Sequence, residues 1–121
     1  MKGLPEMRTV SEQSPISLDD LRKLAAGRFG DMIKGVVDLN RAIMALDADM
    51  HADEEAALLA EGSCQLDLWG ISLYPDLPDS DWLELDCMIN LRPSSGNLSK
   101  GVDDPAIRER IAALIDRLVL R

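Results

Sequence analysis

The chain has 121 residues, 46% of them apolar and only 3% aromatic, and carries a formal net charge of −9. That length predicts one domain able to bury a core without disulfides or metal, and that charge disfavours nucleic acid and anionic membranes, because phosphate binding depends on basic residues. No apolar run approaches the roughly 18 residues of a membrane span; with no signal-peptide pattern in MKGLPEMRTV and two cysteines, Cys64 and Cys87, read as reduced thiols, a cytoplasmic protein without a cofactor is expected.

In chain order, residues 1–6 read as a loose terminus and residues 7–13 as a short strand. Ser17 reads as a helix N-cap with Asp20 in the capping-box position. Leu18, Leu21, Leu24 and Ala25 form an apolar stripe, so a helix is predicted over residues 18–27, with Gly27 as its stop.

The next third is less regular. Residues 34–38 read as a strand, Asn40 as a turn and residues 42–50 as a second strand, because Met44, Leu46, Ala48 and Met50 alternate with Ala45, Asp47, Asp49 and His51. Residues 54–60 have strong helical propensity after Asp53 and before Gly62, yet their neighbours favour a further strand, and the reading leans that way. Residues 65–91 then predict a long hairpin. One arm alternates Trp69, Ile71 and Leu73 with Leu68, Gly70, Ser72 and Tyr74. The other carries Leu83, Leu85, Cys87, Ile89 and Leu91 on one face. Residues 92–103 form a polar loop. Asp103, Asp104 and Pro105 open a helix over residues 105–120, with Ile107, Ile111, Leu114, Ile115 and Leu118 as its buried stripe.

Two groups of side chains could carry chemistry. On a strand, Asp47, Asp49 and His51 would point the same way, with Asp53 and Glu55 at the following turn, a set suited to a divalent ion or to acid–base work. The row lacks any metal-ligand spacing, so a solvated sheet face is the simpler reading and no metal is assigned. The loop offers Arg92, Ser94, Ser95, Asn97 and Lys100, whose donors and charge suit a carboxylate or phosphate. It matches neither a P-loop nor a dinucleotide fingerprint, and a capped polar connection is the simpler alternative. Neither cysteine has an identifiable base beside it. Trp82 and Tyr74 would form an exposed contact patch if no helix covers their sheet face.

The stretches L-W-G-I-x-L-Y-P (from Leu68) and I-N-L-R-P-S-x-G-N (from Ile89), together with Val36-Val37-Asp38, Met50-His51-Ala52-Asp53 and Glu61-Gly62-Ser63, resemble a family of small bacterial proteins classed as a domain of unknown function. The resemblance covers most of residues 33–121. It implies no activity and no roles, and marks His51, Asp53, Arg92, Ser94 and Asn97 as residues to test.

The expected fold is α+β: a four- or five-stranded antiparallel meander, with a short N-terminal helix and a longer C-terminal helix packed on the face of Trp69, Leu83, Leu85 and Ile89. The expected function is a non-enzymatic binding or interaction module, self-associating through an edge strand or an uncovered sheet face, with a homo-oligomer or protein partner and neither nucleic acid nor membrane. The alternative is a small enzyme or an anion- or metal-ligand-binding protein using the loop at residues 92–100 with His51 and Asp53. One concave site shared by His51 and the loop would favour the alternative.

Overall fold

The computed structural model describes residues 7–121; the loose terminus expected over residues 1–6 lies outside them. The elements are β1 (Arg8–Ser11), β2 (Ile16–Ser17), α1 (Leu18–Ala26), β3 (Ile33–Asp38), β4 (Ile43–Leu46), α2 (His51–Ala60), β5 (Leu68–Leu73), β6 (Leu83–Glu84), α3 (Pro105–Leu118) and β7 (Val119–Leu120). Five strands make an antiparallel sheet in the order β1-β4-β3-β5-β6, and β2 pairs in parallel with β7. The fold is α+β, as expected. The sheet departs from a meander because β1 returns to pair outside β4.

Local chemistry accounts for the boundaries. The Ser17 hydroxyl accepts from the Asp20 amide at 3.1 Å and starts α1. Between β3 and β4 the Asp38 carboxylate accepts from the amides of Asn40 and Arg41, at 2.9 and 3.0 Å, and closes the turn; such Asx turns are a local alternative to sheet pairing. The strand expected over residues 42–50 runs only from Ile43 to Leu46. Asp47 takes a left-handed φ of 75° and ion-pairs with Arg28 at 2.6 Å, and Asp49 pairs with the same guanidinium. The alternation continues past Leu46, but the backbone has turned.

Residues 54–60, read as a strand, belong to α2. The intrinsic preference of H-A-D-E-E-A-A-L-L-A outweighs the pattern of its neighbours, and the exposed Asp53 in the first turn complements the helix dipole. Its end is a Schellman motif. Gly62, at φ 106°, donates to Leu59 and Ser63 donates to Leu58, at 3.1 and 3.0 Å.

The second arm of the hairpin is also shorter than expected. Only Leu83 and Glu84 pair with β5, and a 3-10 turn covers Met88–Asn90. Trp82, outside the strand and free of its parity, sits 4% exposed in the main core under the Arg121 guanidinium, 4.2 Å from its ring. Tyr74 bonds Glu84 instead of joining it. The aromatic patch therefore does not form.

Both faces of the sheet are covered. Val37, Met44, Leu46, Trp69, Ile71 and Leu73 pack on Leu21 and Ala25 of α1 and Ile111, Leu114, Ile115 and Leu118 of α3, with Leu83 and Leu85 at the margin. The opposite face carries Val36, Ala45 and Leu68 under Leu58 of α2. Ile89, expected on the α1/α3 face, packs with this second group, and Cys87 lies over Gly70 on the same side. The chain crosses the sheet edge between Leu85 and Cys87, so parity counted through it fails. The uncovered sheet face invoked for self-association is absent among the described residues.

Candidate functional site

The segment from Asp86 to Asp104 closes the edge of β5 that β6 leaves unpaired. Asn90 does this with its side chain. Its Oδ1 accepts from the Gly70 amide at 2.8 Å and its Nδ2 donates to the Gly70 carbonyl at 3.0 Å, reproducing the pairing of a neighbouring strand residue. Position 70 is glycine because a Cβ there would lie 2.7 Å from the Cys87 sulfur. Asn97 organises the loop beyond. Its Nδ2 faces the carbonyls of Asn90, Ser99 and Gly101 at 2.7–3.0 Å, and its Oδ1 accepts from the Asp103 amide at 2.8 Å. Gly96, at φ 88°, supplies the left-handed residue that the turn after Pro93–Ser95 needs. Much of the I-N-L-R-P-S-x-G-N stretch is thus scaffold.

The segment borders two cavities. The larger, ≈ 500 Å³, lies on the α3 side and is lined by Leu66, Trp69, Arg92, Ser95, Gly96, Asn97, Asp103, Asp104 and Ile107. The Arg92 guanidinium stacks 4.7 Å from the Trp69 ring, donates from Nε to Ile89 O at 3.1 Å and from Nη2 to Leu68 O. Burial lowers its pKa, but a guanidinium stays charged. Asp103 accepts from the Leu98 amide and the Ser99 hydroxyl, both at 2.6 Å, and these bonds hold its pKa below the ordinary value.

The smaller cavity, ≈ 380 Å³, lies on the α2 side and is lined by Lys34, Met50, His51, Ala52, Asp86, Cys87, Met88, Ile89 and Lys100. His51 Nε2 lies 2.7 Å from the Ile71 carbonyl and must be the protonated nitrogen, since a carbonyl only accepts. Burial lowers its pKa, so the ring is neutral at pH 7, and burial raises that of the Cys87 thiol. Lys34 holds the Asp49 carbonyl at 3.1 Å. One turn along α2, Glu54 is fully buried with its pKa pushed up to about 9 by desolvation; its Oε2 accepts from the Ala48 amide at 3.1 Å, and Oε1 has no partner.

The residues expected to act together are therefore divided. His51 and Lys100 line the smaller cavity, while Arg92, Ser95 and Asn97 line the larger. Asp53 and Ser94 are exposed and line neither. The acidic row also dissolves: Asp47 and Asp49 are bound to Arg28, while His51, Asp53 and Glu55 follow helical spacing. Among the described residues no three His, Cys, Asp or Glu side chains converge as metal ligands. Lys34, Trp69, Asp104 and Cys87 went unrecognised as wall residues. Each looked like an ordinary strand or cap residue, and only the fold brings them to a cavity.

The architecture and its cavities define an α+β protein built on a five-stranded antiparallel sheet covered by helices on both faces. The sequence matches, over residues 10–118, the family described as Protein of unknown function (DUF5674), and the chain belongs to that family. No curated protein and no solved structure matches it. No helix among the described residues is long and apolar enough to cross a membrane.

Proposed function

We propose that the protein is a non-enzymatic binding module whose ligand is a small organic anion with an apolar body, held in the cavity of Lys34, His51 and Lys100. The observation that carries this reading is charge placement. In a chain of net charge −9, two of the four lysines and the single histidine, from three separate segments, line one cavity. Asp86 is the carboxylate on that wall, and Met50, Met88, Cys87 and Ile89 supply its apolar part. Two ammonium groups suit a carboxylate. Against catalysis stands the chemistry of the same wall: the Cys87 thiol is disfavoured as thiolate, and His51 spends its Nε2 proton on Ile71.

The test is thermal unfolding with hexanoate and benzoate, with inorganic phosphate and uncharged hexanol as controls. A ligand at about a hundred times its dissociation constant adds roughly 2.7 kcal/mol, a shift of several degrees for a domain of this size. Lys100 is exposed and bonds nothing through its side chain among the described residues, so K100A should weaken the shift without harming the fold. Affinity should also rise as pH falls and His51 Nδ1 gains a proton. Absence of any carboxylate-specific shift, or one unchanged in K100A and K34A alike, would sink the reading.

A further inference from the structure

We infer that the larger cavity is a second, independent binding site, for a small zwitterion of the α-amino-acid class with an apolar side chain. The larger cavity holds charge of both signs that forms no salt bridge among the described residues, a guanidinium fixed on one wall and two carboxylates on another. Arg92 is fixed on two carbonyls and the Trp69 ring, and among the described residues its Nη1 has no partner. Glu55 of α2 is close enough to act on it electrostatically, yet Arg92 forms no ion pair with any described residue. Across the same cavity, Asp104 uses Oδ1 to cap α3 through the Ala106 amide at 2.9 Å, and its Oδ2 is uncommitted. Asp103 lies beside it with both oxygens engaged, and Arg108, which donates to the Asp103 carbonyl at 3.2 Å, acts on its charge without a salt bridge. Neither aspartate forms a salt bridge among the described residues.

A cation and carboxylates that share a cavity without pairing leave a gap for a ligand bearing both complementary charges. The ligand carboxylate meets Arg92 Nη1, in the planar geometry guanidinium favours. The ligand ammonium meets Asp104 and Asp103, whose two charges exceed the roughly half-unit positive end of α3. Trp69, Leu66 and Ile107 provide an apolar wall for the side chain, and 500 Å³ is within the usual range for small-molecule sites. A simple anion is opposed by the aspartates and a simple cation by Arg92, so the pairing of charges selects the dipolar species.

The test is titration of isotopically labelled protein with L-leucine, read from the indole signal of Trp69 and the Nε signal of Arg92 in nitrogen–proton correlation spectra. Leucinamide, which lacks the carboxylate, and 4-methylpentanoate, which lacks the amine, are the comparison ligands. Leucine should perturb the Trp69 and Arg92 signals while leaving Trp82 in place, and each comparison ligand should bind at least about tenfold more weakly, the equivalent of about 1.4 kcal/mol for one lost charged contact. D104N keeps an equally good helix cap and should show the same loss. Its folding is checked by an unchanged remainder of the spectrum. The inference is overturned if leucine gives no shift up to about 10 mM, a concentration at which even millimolar binding shows. It is equally overturned if either comparison ligand, or D104N with leucine, matches the parent affinity. All affinities are those read at the Trp69 and Arg92 signals, so 4-methylpentanoate held between Lys34 and Lys100 does not count, and the two sites stand or fall separately.

Discussion

Among the described residues, eighteen buried apolar side chains form one core between the sheet and α1/α3, whereas on the α2 face four do. The α2 side instead buries polar groups: Asp38 at the end of β3, Ser72 in β5, Glu54 in the helix and Asn90 at the sheet edge. The first face is held by apolar area and shape, the second by a few specific bonds to backbone groups. The difference matters for function, because the bonds of Asn90 at the sheet edge hold the segment at residues 86–104 that supplies walls to both cavities.

The largest effect should come from the apolar face. Leu114 is 2% exposed within the main core, and Leu114→Ala should cost about 2–5 kcal/mol from lost burial plus the cavity left behind. Denaturant unfolding measures it. The comparison breaks if the cost is below about 1 kcal/mol, which would mean that this face is loosely packed.

Asn90→Ala should come next, at about 2–4 kcal/mol, since it strips partners from the Gly70 amide and carbonyl, both buried. The two substitutions should differ in kind. Leu114→Ala lowers stability with both cavities intact. Asn90→Ala releases the segment at residues 86–104 that supplies walls to both, so ligand-induced stabilisation at either should fall with it. Hydrogen exchange at the Gly70 amide should accelerate in Asn90→Ala beyond what its loss of global stability accounts for, and in Leu114→Ala by no more than that loss.

The same contrast decides what could be read from the sequence. The α1 and α3 stripes, the alternation of Trp69, Ile71 and Leu73, and the Asp104-Pro105 start were legible because burial of apolar area leaves a period in the sequence. The α2 side leaves none. Asn90 stands where alternation places a solvent-facing residue, yet it is fully buried as a substitute strand partner. His51 and Asp47 fit a strand pattern that a single left-handed residue interrupts. Gly62, which closes α2, was visible but outweighed by its neighbours. The cavities needed Lys34 and Lys100, or Trp69 and Asp104, to be brought together across long sequence distances, and no local pattern carries that.

Per pH unit the last effect is the smallest, and it is also the most specific, because it separates two titrating groups three residues apart on α2. Glu54 has a folded pKa of about 9 against an ordinary value of 4.5, so between those pH values the folded protein keeps a proton that the unfolded chain releases. Its contribution is complete below pH 4.5 and is lost as pH rises toward 9, with a slope on the order of 1 kcal/mol per pH unit. His51 works in the opposite sense. Burial lowers its pKa, so the unfolded chain binds the proton more readily below pH 6.5, and stability from this group falls as pH falls. Lys34, Asp47 and Arg28 also face Glu54 and set the finer balance. Glu54→Gln keeps an acceptor for the Ala48 amide and removes only the alkaline arm. Relative to the parent it should gain stability steadily from pH 5 to pH 9, while the decline below pH 6.5 remains. A parallel pair of stability–pH curves would mean that Glu54 is ionised in the fold, and that the polar side of the sheet tolerates a buried charge rather than a buried proton.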